Sequence, residues 1–319
     1  MGRFVLKRLA GMVAVLFAIS VIVFLIFNVI PGADPAQRMA GKNATPQLVT
    51  SIEEEWGFDE PLPAQYLKTM GLIFSGDLIS YSTELEVDEQ IVEGIPATLS
   101  LSIGAAVLWL FFGVLFGYLS AVRGGRLTDR VLTGVAVLGI SIPSFVLAAT
   151  LLYYLTFKVE LFPSSEYVPL TEDPLDWAYH LILPWITLAI LYVGIYSRVL
   201  RSNMLDAMNE DHVRTARAKG LPERQVRIRH VLRNSLIPVI TLFGLDFGAV
   251  IAGQALLVET IFSLHGVGQY ALESIAKLDL PPIMAVSMYG AFFVVFFNTV
   301  VDIAYAGLDP RVRVGGSSR

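Results

Sequence analysis

The sequence contains no cysteine and few charged residues, and both deficits limit what the protein can be. Without cysteine, the chain of 319 residues can form neither a disulfide framework nor a cysteine-ligated zinc or iron–sulfur site. Charged residues make up 16% of the chain, compared with about 25% in an ordinary soluble domain. Hydrophobic residues make up 55%, and the mean hydropathy is +0.63. This composition is typical of a membrane protein.

Six long intervals are almost free of charged residues and predict six membrane-spanning helices. A helix needs about 20 apolar residues to cross about 30 Å of hydrocarbon. The predicted spans are Leu9–Ile30, Gly94–Val122, Val131–Phe157, Trp177–Ser197, Asn234–Glu259 and Leu280–Val301. The last of these is expected to continue past Asp302 to Ala306. The sequence therefore predicts an all-α, polytopic membrane protein with six transmembrane helices.

The first span has two interpretations, because basic residues precede it as they precede a signal peptide. Its apolar run is longer than the core of about 7–15 residues that a signal peptide uses, and no small-x-small cleavage site follows it. We therefore interpret this span as a retained transmembrane helix.

Lysine and arginine are distributed unevenly between the segments that connect the spans. Both terminal segments and the loops after spans two and four together hold 18 of these residues, and the other three loops hold 5. Because basic loops remain in the cytoplasm, both termini are predicted to be cytoplasmic, in a multi-pass protein of the cell membrane. With this orientation, the net charge of −5 is the sum of −15 on the outer loops, −2 within the spans and +12 on the cytoplasmic segments. The basic side would face anionic membrane lipid, and no nucleic-acid partner is expected.

The spans and loops divide the chain into four regions. The predicted regions are the cytoplasmic end with the first helix (1–30), an extracytoplasmic loop region (31–95), a five-helix core with a cytoplasmic hairpin at 198–234 (96–306), and a cytoplasmic tail (307–319). In the outer region, Thr45–Trp56 has helical spacing and ends at Gly57, and a second helix is predicted around Pro63–Phe74. This region would be either a lid on the membrane face or a docking surface for an outside partner.

The loop between the fourth and fifth spans has the pattern of a helical hairpin. The stretch from Asp211 to Lys219 is acidic at its start and basic at its end, as the helix dipole favours. Gly220 would end this helix and Pro222 would open the next one. The alternative is a solvated basic loop that obeys the positive-inside rule. That alternative does not explain the small residues before the Gly–Pro corner, which are Thr215, Ala216 and Ala218.

This hairpin resembles the cytoplasmic EAA loop of ABC importer permeases, in the version of the dipeptide/oligopeptide branch. The residues that carry the resemblance are Arg214-Thr215-Ala216-Arg217-Ala218-Lys219-Gly220 and Leu232-Arg233-Asn234-Ser235-Leu236-Ile237-Pro238. Other matches to that branch follow in order along the chain, among them Ile30-Pro31-Gly32, Gly57-Phe58-Asp59-Glu60-Pro61, Pro96-Ala97-Thr98-Leu99 and Glu259-Thr260-Ile261-Phe262. Arg214 stands at the position of the consensus Glu, which is a feature of the peptide branch.

The resemblance implies a type I importer permease that takes up peptides and forms half of a translocation pore. Its implied partners are a second homologous permease, two ABC ATPase subunits and an extracytoplasmic substrate-binding protein. The implied ATPase-coupling residues are Asp211, Arg214, Thr215, Ala216, Arg217, Ala218, Lys219, Gly220, Leu221 and Pro222. Nickel chelates or oligosaccharides are alternative substrates within the family. Because the chain has no Gly-x4-Gly-Lys-Ser/Thr phosphate-binding loop, ATP hydrolysis is expected on the partner chains, and this chain is expected to hold no catalytic residue, cofactor or metal.

Polar residues inside the spans are the remaining functional candidates. A charge at mid-helix costs about 2.5–3.5 kcal/mol on insertion scales. The candidates for pore-lining or inter-permease contacts are Asp246, Gln254, Asn298 and Asp302. Two intramembrane aspartates also allow an aspartyl protease, but the depths of Asp246 and Asp302 differ by roughly 9 Å at 1.5 Å per residue, which argues against a shared proton. A stand-alone channel or secondary carrier is the other alternative.

Overall fold

The computed structural model describes residues 2–29, 36–37, 45–163 and 166–308. These residues are helical apart from loops and one isolated bridge between Ile79 and Glu86, as the all-α prediction requires. The helices, numbered here in chain order, are α1 (Gly2–Val29), α2 (Pro46–Trp56), α3 (Leu62–Ser75), α4 (Val87–Val122), α5 (Leu127–Ser141), α6 (Ser144–Lys158), α7 (Pro174–Ala207), α8 (Asp211–Ala218), α9 (Glu223–Gln254), α10 (Leu256–Ile261), α11 (Val267–Lys277) and α12 (Leu280–Leu308).

Five of the described helices are long and apolar enough to cross a membrane, namely α1, α4, α7, α9 and α12. The pair α5 and α6 meets the same criterion together, but the two helices meet at an angle of 97°. The break falls at Pro143, which supplies no N–H to continue the helix and holds the preceding Ile142 in an extended conformation (φ −91°, ψ 121°). The predicted third span is therefore a bent pair, and with that pair counted once the structure has the six predicted spans.

The core of the bundle lies between α4 and α7, which pack along most of their lengths. Trp109 and Tyr196 are fully buried between them. Two glycines one turn apart on α4 allow this close packing, because a Cβ on Gly113 would lie 2.7 Å from Tyr196 Cβ and one on Gly117 would lie 2.8 Å from the Ser197 carbonyl oxygen. Small residues with this spacing let helix backbones approach closely.

Replacing Gly117 by alanine should destabilise the protein, because the added methyl group meets a backbone atom that cannot rotate away. Overpacking of this kind costs about 1–3 kcal/mol. The matched control is Gly134→Ala on α5, where a Cβ would meet no atom within 4 Å. Thermal unfolding of the detergent-purified proteins should show a lower midpoint for Gly117→Ala and no loss for Gly134→Ala. Equal midpoints would contradict the close packing of α4 on α7.

The outer region forms the two predicted helices. Thr45 caps α2 by accepting a hydrogen bond from the Leu48 amide at 3.3 Å, and Gly57 ends the helix with φ 72°. Helix α3 follows and packs against α1 through Tyr66, whose hydroxyl hydrogen-bonds Ser20 at 2.7 Å. The two helix predictions are therefore confirmed, and this region rests on the membrane helices.

Candidate functional site

The segment from α8 to the start of α9 is a helical hairpin, as its sequence pattern predicts. Asp211 lies in the first turn of α8 and Arg217 in its last turn, so both charges are favourable to the helix dipole. Gly220 ends the helix with φ 77°, a conformation that residues with a side chain rarely adopt. Pro222 follows in an extended conformation (φ −60°, ψ 139°) and precedes the first turn of α9.

The interior of this hairpin is apolar and its two arms are joined by polar contacts. Val213 and Ala216 of α8 are buried, as are Val226 and Val231 of α9. Arg217 binds across the corner, where its Nε lies 2.8 Å from Glu223 Oε1. The two arms therefore form one packed unit, which continues α7 on one side and the membrane-spanning part of α9 on the other.

The outward face of α8 is exposed and combines small with charged side chains. Asp211, Arg214, Thr215 and Ala218 lie on this face at helical spacing. Arg214 and Asp211 form an ion pair at 3.5 Å, but their side chains are 68% and 98% exposed, so the pair contributes little to stability. We call these four residues the outward face of α8. The small side chains of Thr215 and Ala218 leave room for the surface of another molecule beside the charged Asp211 and Arg214.

The ten predicted coupling residues are all part of the hairpin but differ in orientation. Ala216 faces the interior, and Leu221 is half-buried with its amide directed at the Ala216 carbonyl at 3.4 Å. The exposed ones are Asp211, Arg214, Thr215, Arg217, Ala218, Lys219, Gly220 and Pro222. Contact with another protein is therefore open to these eight, whereas Ala216 and Leu221 support the hairpin from within.

Two of the predicted intramembrane residues pair with tyrosines of α7. Tyr196 donates its hydroxyl to Asp246 Oδ2 at 2.9 Å, and Tyr192 donates to Gln254 Oε1 at 2.9 Å. The two tyrosines are one turn apart, and the Trp109 ring lies 4.5 Å from that of Tyr192. Asp246 is half-buried and Gln254 is exposed. The structure therefore brings these two side chains together along the side of α7 that carries Tyr192 and Tyr196. Both side chains remain partly accessible to solvent.

The end of α9 beside these residues is not a regular helix. The last turns, Val250–Gln254, are π-helical, and Gly253 has φ 123° and ψ 3°. A Cβ at Gly253 would meet no atom within 4 Å. π-Helical turns occur frequently at functional sites, and broken helices are common where membrane transporters bind their substrates.

Of the two predicted residues on α12, the structure describes the side chain of only one. Asn298 is half-buried, and its buried Oδ1 has no hydrogen-bond partner within the described part of the chain. Asp302 belongs to α12, but its side chain lies outside the described residues. The predicted role of Asn298 and Asp302 in pore-lining or inter-permease contacts therefore stays a prediction.

The sequence analysis did not predict an ion pair that joins α5 to α7 near the hairpin. Arg201 of α7 binds Asp129 of α5 with two hydrogen bonds of 2.7 and 2.8 Å. The Asp129 carboxylate also accepts hydrogen bonds from the Ser120 hydroxyl and, at 2.8 Å, from the Gly125 amide. We call Asp129, Arg201, Ser120 and Gly125 the Asp129 clamp. It joins three helices just before α7 enters the hairpin.

Two buried carboxylates, Glu259 and Asp279, lie in the segments that follow α9. Glu259 accepts hydrogen bonds from Thr98 Oγ1 at 2.9 Å and from the Gln269 amide at 3.0 Å, so it caps the start of α11. Asp279 accepts hydrogen bonds from the hydroxyls of Ser80 and Ser82, each at 2.6 Å. Both carboxylates therefore hold neighbouring loops on the helices.

Family models match nearly the whole chain. The model described as "Binding-protein-dependent transport system inner membrane component" matches residues 113–314. The model described as the N-terminal part of such a membrane component matches residues 1–102. Together they cover the chain except for residues 103–112 and 315–319.

Curated relatives match over the same length. A probable peptide ABC transporter permease protein of Sinorhizobium fredii is 35% identical over 314 residues, which is 98% of this chain and 100% of the relative. A probable D,D-dipeptide transport system permease protein of Escherichia coli is 36% identical over 332 residues, with 97% of each chain covered. A glutathione transport system permease protein of Escherichia coli O6:H1 is 36% identical, with 98% of this chain and 99% of the relative covered.

One solved structure shares the fold. The crystal structure of an amino acid ABC transporter with histidines aligns with a TM-score of 0.53 and covers 69% of this chain and 94% of its own. Its sequence is 14% identical, so the likeness concerns the fold alone.

Proposed function

This chain belongs to the family of inner membrane components of binding-protein-dependent transport systems, and we propose that it is one of two permease subunits of an ATP-driven importer. In this proposal the chain conducts peptides. The chain is a multi-pass membrane protein and a transport subunit rather than an enzyme. Relatives named for peptides, D,D-dipeptides and glutathione support peptides as the substrate class. They do not favour the nickel-chelate, oligosaccharide, stand-alone carrier or protease alternatives.

The observation that carries the proposal is the hairpin and its outward face. Its apolar interior and the bond between Arg217 and Glu223 make it a rigid unit, and its outward face is exposed. A helix of this kind, seated in a groove of an ATPase subunit, would transmit closure of the ATPases to α7 and α9 as a rigid-body movement. One ATPase subunit would bind this permease and another its homologous partner.

The orientation follows from the same assignment. With the hairpin (198–234) on the ATPase side, both termini and the tail (307–319) are cytoplasmic, and the region 31–95 faces outward. The three outer loops together carry a net charge of −15, which would face the substrate-binding protein. The core (96–306) would form half of the pore, with Asp246 and Gln254 on the pore side and Asn298 and Asp302 toward the second permease.

Co-purification tests the proposal directly. The tagged chain, expressed with the second permease and the ATPase subunits, should retain both ATPases through detergent purification. Proteoliposomes of the complex should take up peptide only when ATP and the substrate-binding protein are both supplied. Peptide uptake by this chain in the absence of any ATPase subunit would instead establish a carrier.

A further inference from the structure

The carboxylate of Asp246 has no cationic partner within the membrane-spanning part of this chain. None of the six predicted spans contains lysine or arginine. Tyr196 donates a hydrogen bond to Oδ2, and no hydrogen bond to Oδ1 occurs within the described ranges. An ionisable group inside the membrane faces the bundle interior or a water-filled cavity and pairs with an opposite charge. The structure therefore leaves one carboxylate oxygen and one negative charge to be satisfied from outside this chain.

The surroundings of Asp246 offer a further hydrogen-bonding group. The helix α9 ends eight residues further on, at Gln254, so a second polar side chain follows Asp246 along α9. Gln254 uses its Oε1 to accept from Tyr192. Within the described residues its amide N–H groups have no acceptor and can donate to a carbonyl oxygen. The open space beside Gly253 adjoins this end of the helix.

We propose that Asp246 and Gln254 form a peptide subsite in the pore, in which the Asp246 carboxylate pairs with the α-ammonium group of the peptide and the Gln254 amide donates to a peptide carbonyl. The tyrosines Tyr196 and Tyr192 hold the two side chains in place. The subsite rests on the proposed function, because it requires a peptide to pass along this face of α9. It extends that function by assigning this chain a selectivity for a free, positively charged amino terminus.

The test compares two probes in the complete, reconstituted importer. Trialanine and N-acetyl-trialanine differ only in the charge of the amino terminus, and each is supplied at a concentration that saturates the substrate-binding protein. In the wild-type complex, uptake of trialanine should exceed uptake of the acetylated peptide. In Asp246→Asn, uptake of trialanine should fall at least tenfold and the preference between the two probes should disappear, with the amount of assembled complex unchanged. Thr187→Val, which removes a buried hydroxyl bonded to its own helix, should leave the preference intact.

The other roles of Asp246 predict different results, and each would overturn the subsite. If Asp246 paired with a basic residue of the second permease, Asp246→Asn would reduce co-purification of that subunit. If it served only to bond Tyr196, Tyr196→Phe would match the effect of Asp246→Asn on both probes. If Asp246→Asn retained the preference for trialanine, the subsite would fail while peptide import stood. If the wild-type complex imported neither probe, the peptide assignment would fail first and the subsite with it.

Discussion

Replacing Ala218 by tryptophan should abolish most ATP-driven uptake while leaving the protein folded in the membrane. Ala218 is exposed at the carboxyl end of the outward face of α8, where an indole ring would occupy the space that the ATPase groove requires. A tenfold loss of affinity corresponds to about 1.4 kcal/mol, and we expect a steric clash in this interface to cost at least that much. We expect at least a tenfold loss of both peptide uptake and retained ATPase on co-purification.

The same substitution at two other alanines separates docking from folding. Ala276 on α11 is exposed on the opposite side of the membrane in the proposed orientation, so Ala276→Trp should leave ATPase retention unchanged. Ala216 is buried inside the hairpin, so Ala216→Trp should disrupt the hairpin itself and expose the chain there to protease. Full ATPase retention by Ala218→Trp would contradict docking through the outward face of α8.

The hairpin could be predicted because its signals are local. The helix dipole, the stop at Gly220 and the corner at Pro222 each depend on neighbouring residues only, and the structure has all three. The inward orientation of Ala216 was also available from the sequence, since Val213 precedes it by three residues and both lie on the apolar face of one short helix. The role of the outward face requires a second protein and is therefore a proposal.

The polar contacts between distant helices could not be predicted in the same way. Arg201 and Asp129 are separated by 72 residues, and Glu259 and Thr98 by 161. Packing of the whole bundle decides which helices are neighbours and which of their residues lie level with one another. No local sequence pattern encodes this. The sequence did indicate that Asp246 needs a partner, because a charge within a span is costly. It did not indicate that the hydroxyl of Tyr196 on α7 would supply a hydrogen bond to it.

Breaking the Asp129 clamp should have the second large effect, which is on the stability of the protein. The Asp129 side chain is 6% exposed in the intact protein, and in Arg201→Met it would lose its cationic partner. Removing one member of a buried ion pair costs about 3 kcal/mol or more. Arg198→Met is the matched control, because Arg198 is exposed one turn earlier on α7. Thermal unfolding of the detergent-purified variants should show a clear loss for Arg201→Met and little change for Arg198→Met.

The double variant Asp129→Asn with Arg201→Met then shows whether the cost arises from the unpaired charge. It removes both charges at once, so it should unfold at a higher temperature than Arg201→Met alone; such non-additivity marks residues that interact directly. Because α7 runs from the clamp into the hairpin, Arg201→Met should also weaken coupling, with less peptide imported for each ATP hydrolysed. If Arg201→Met were no less stable than Arg198→Met, the clamp would contribute nothing to the fold, and the hairpin would need another anchor on α4 and α5.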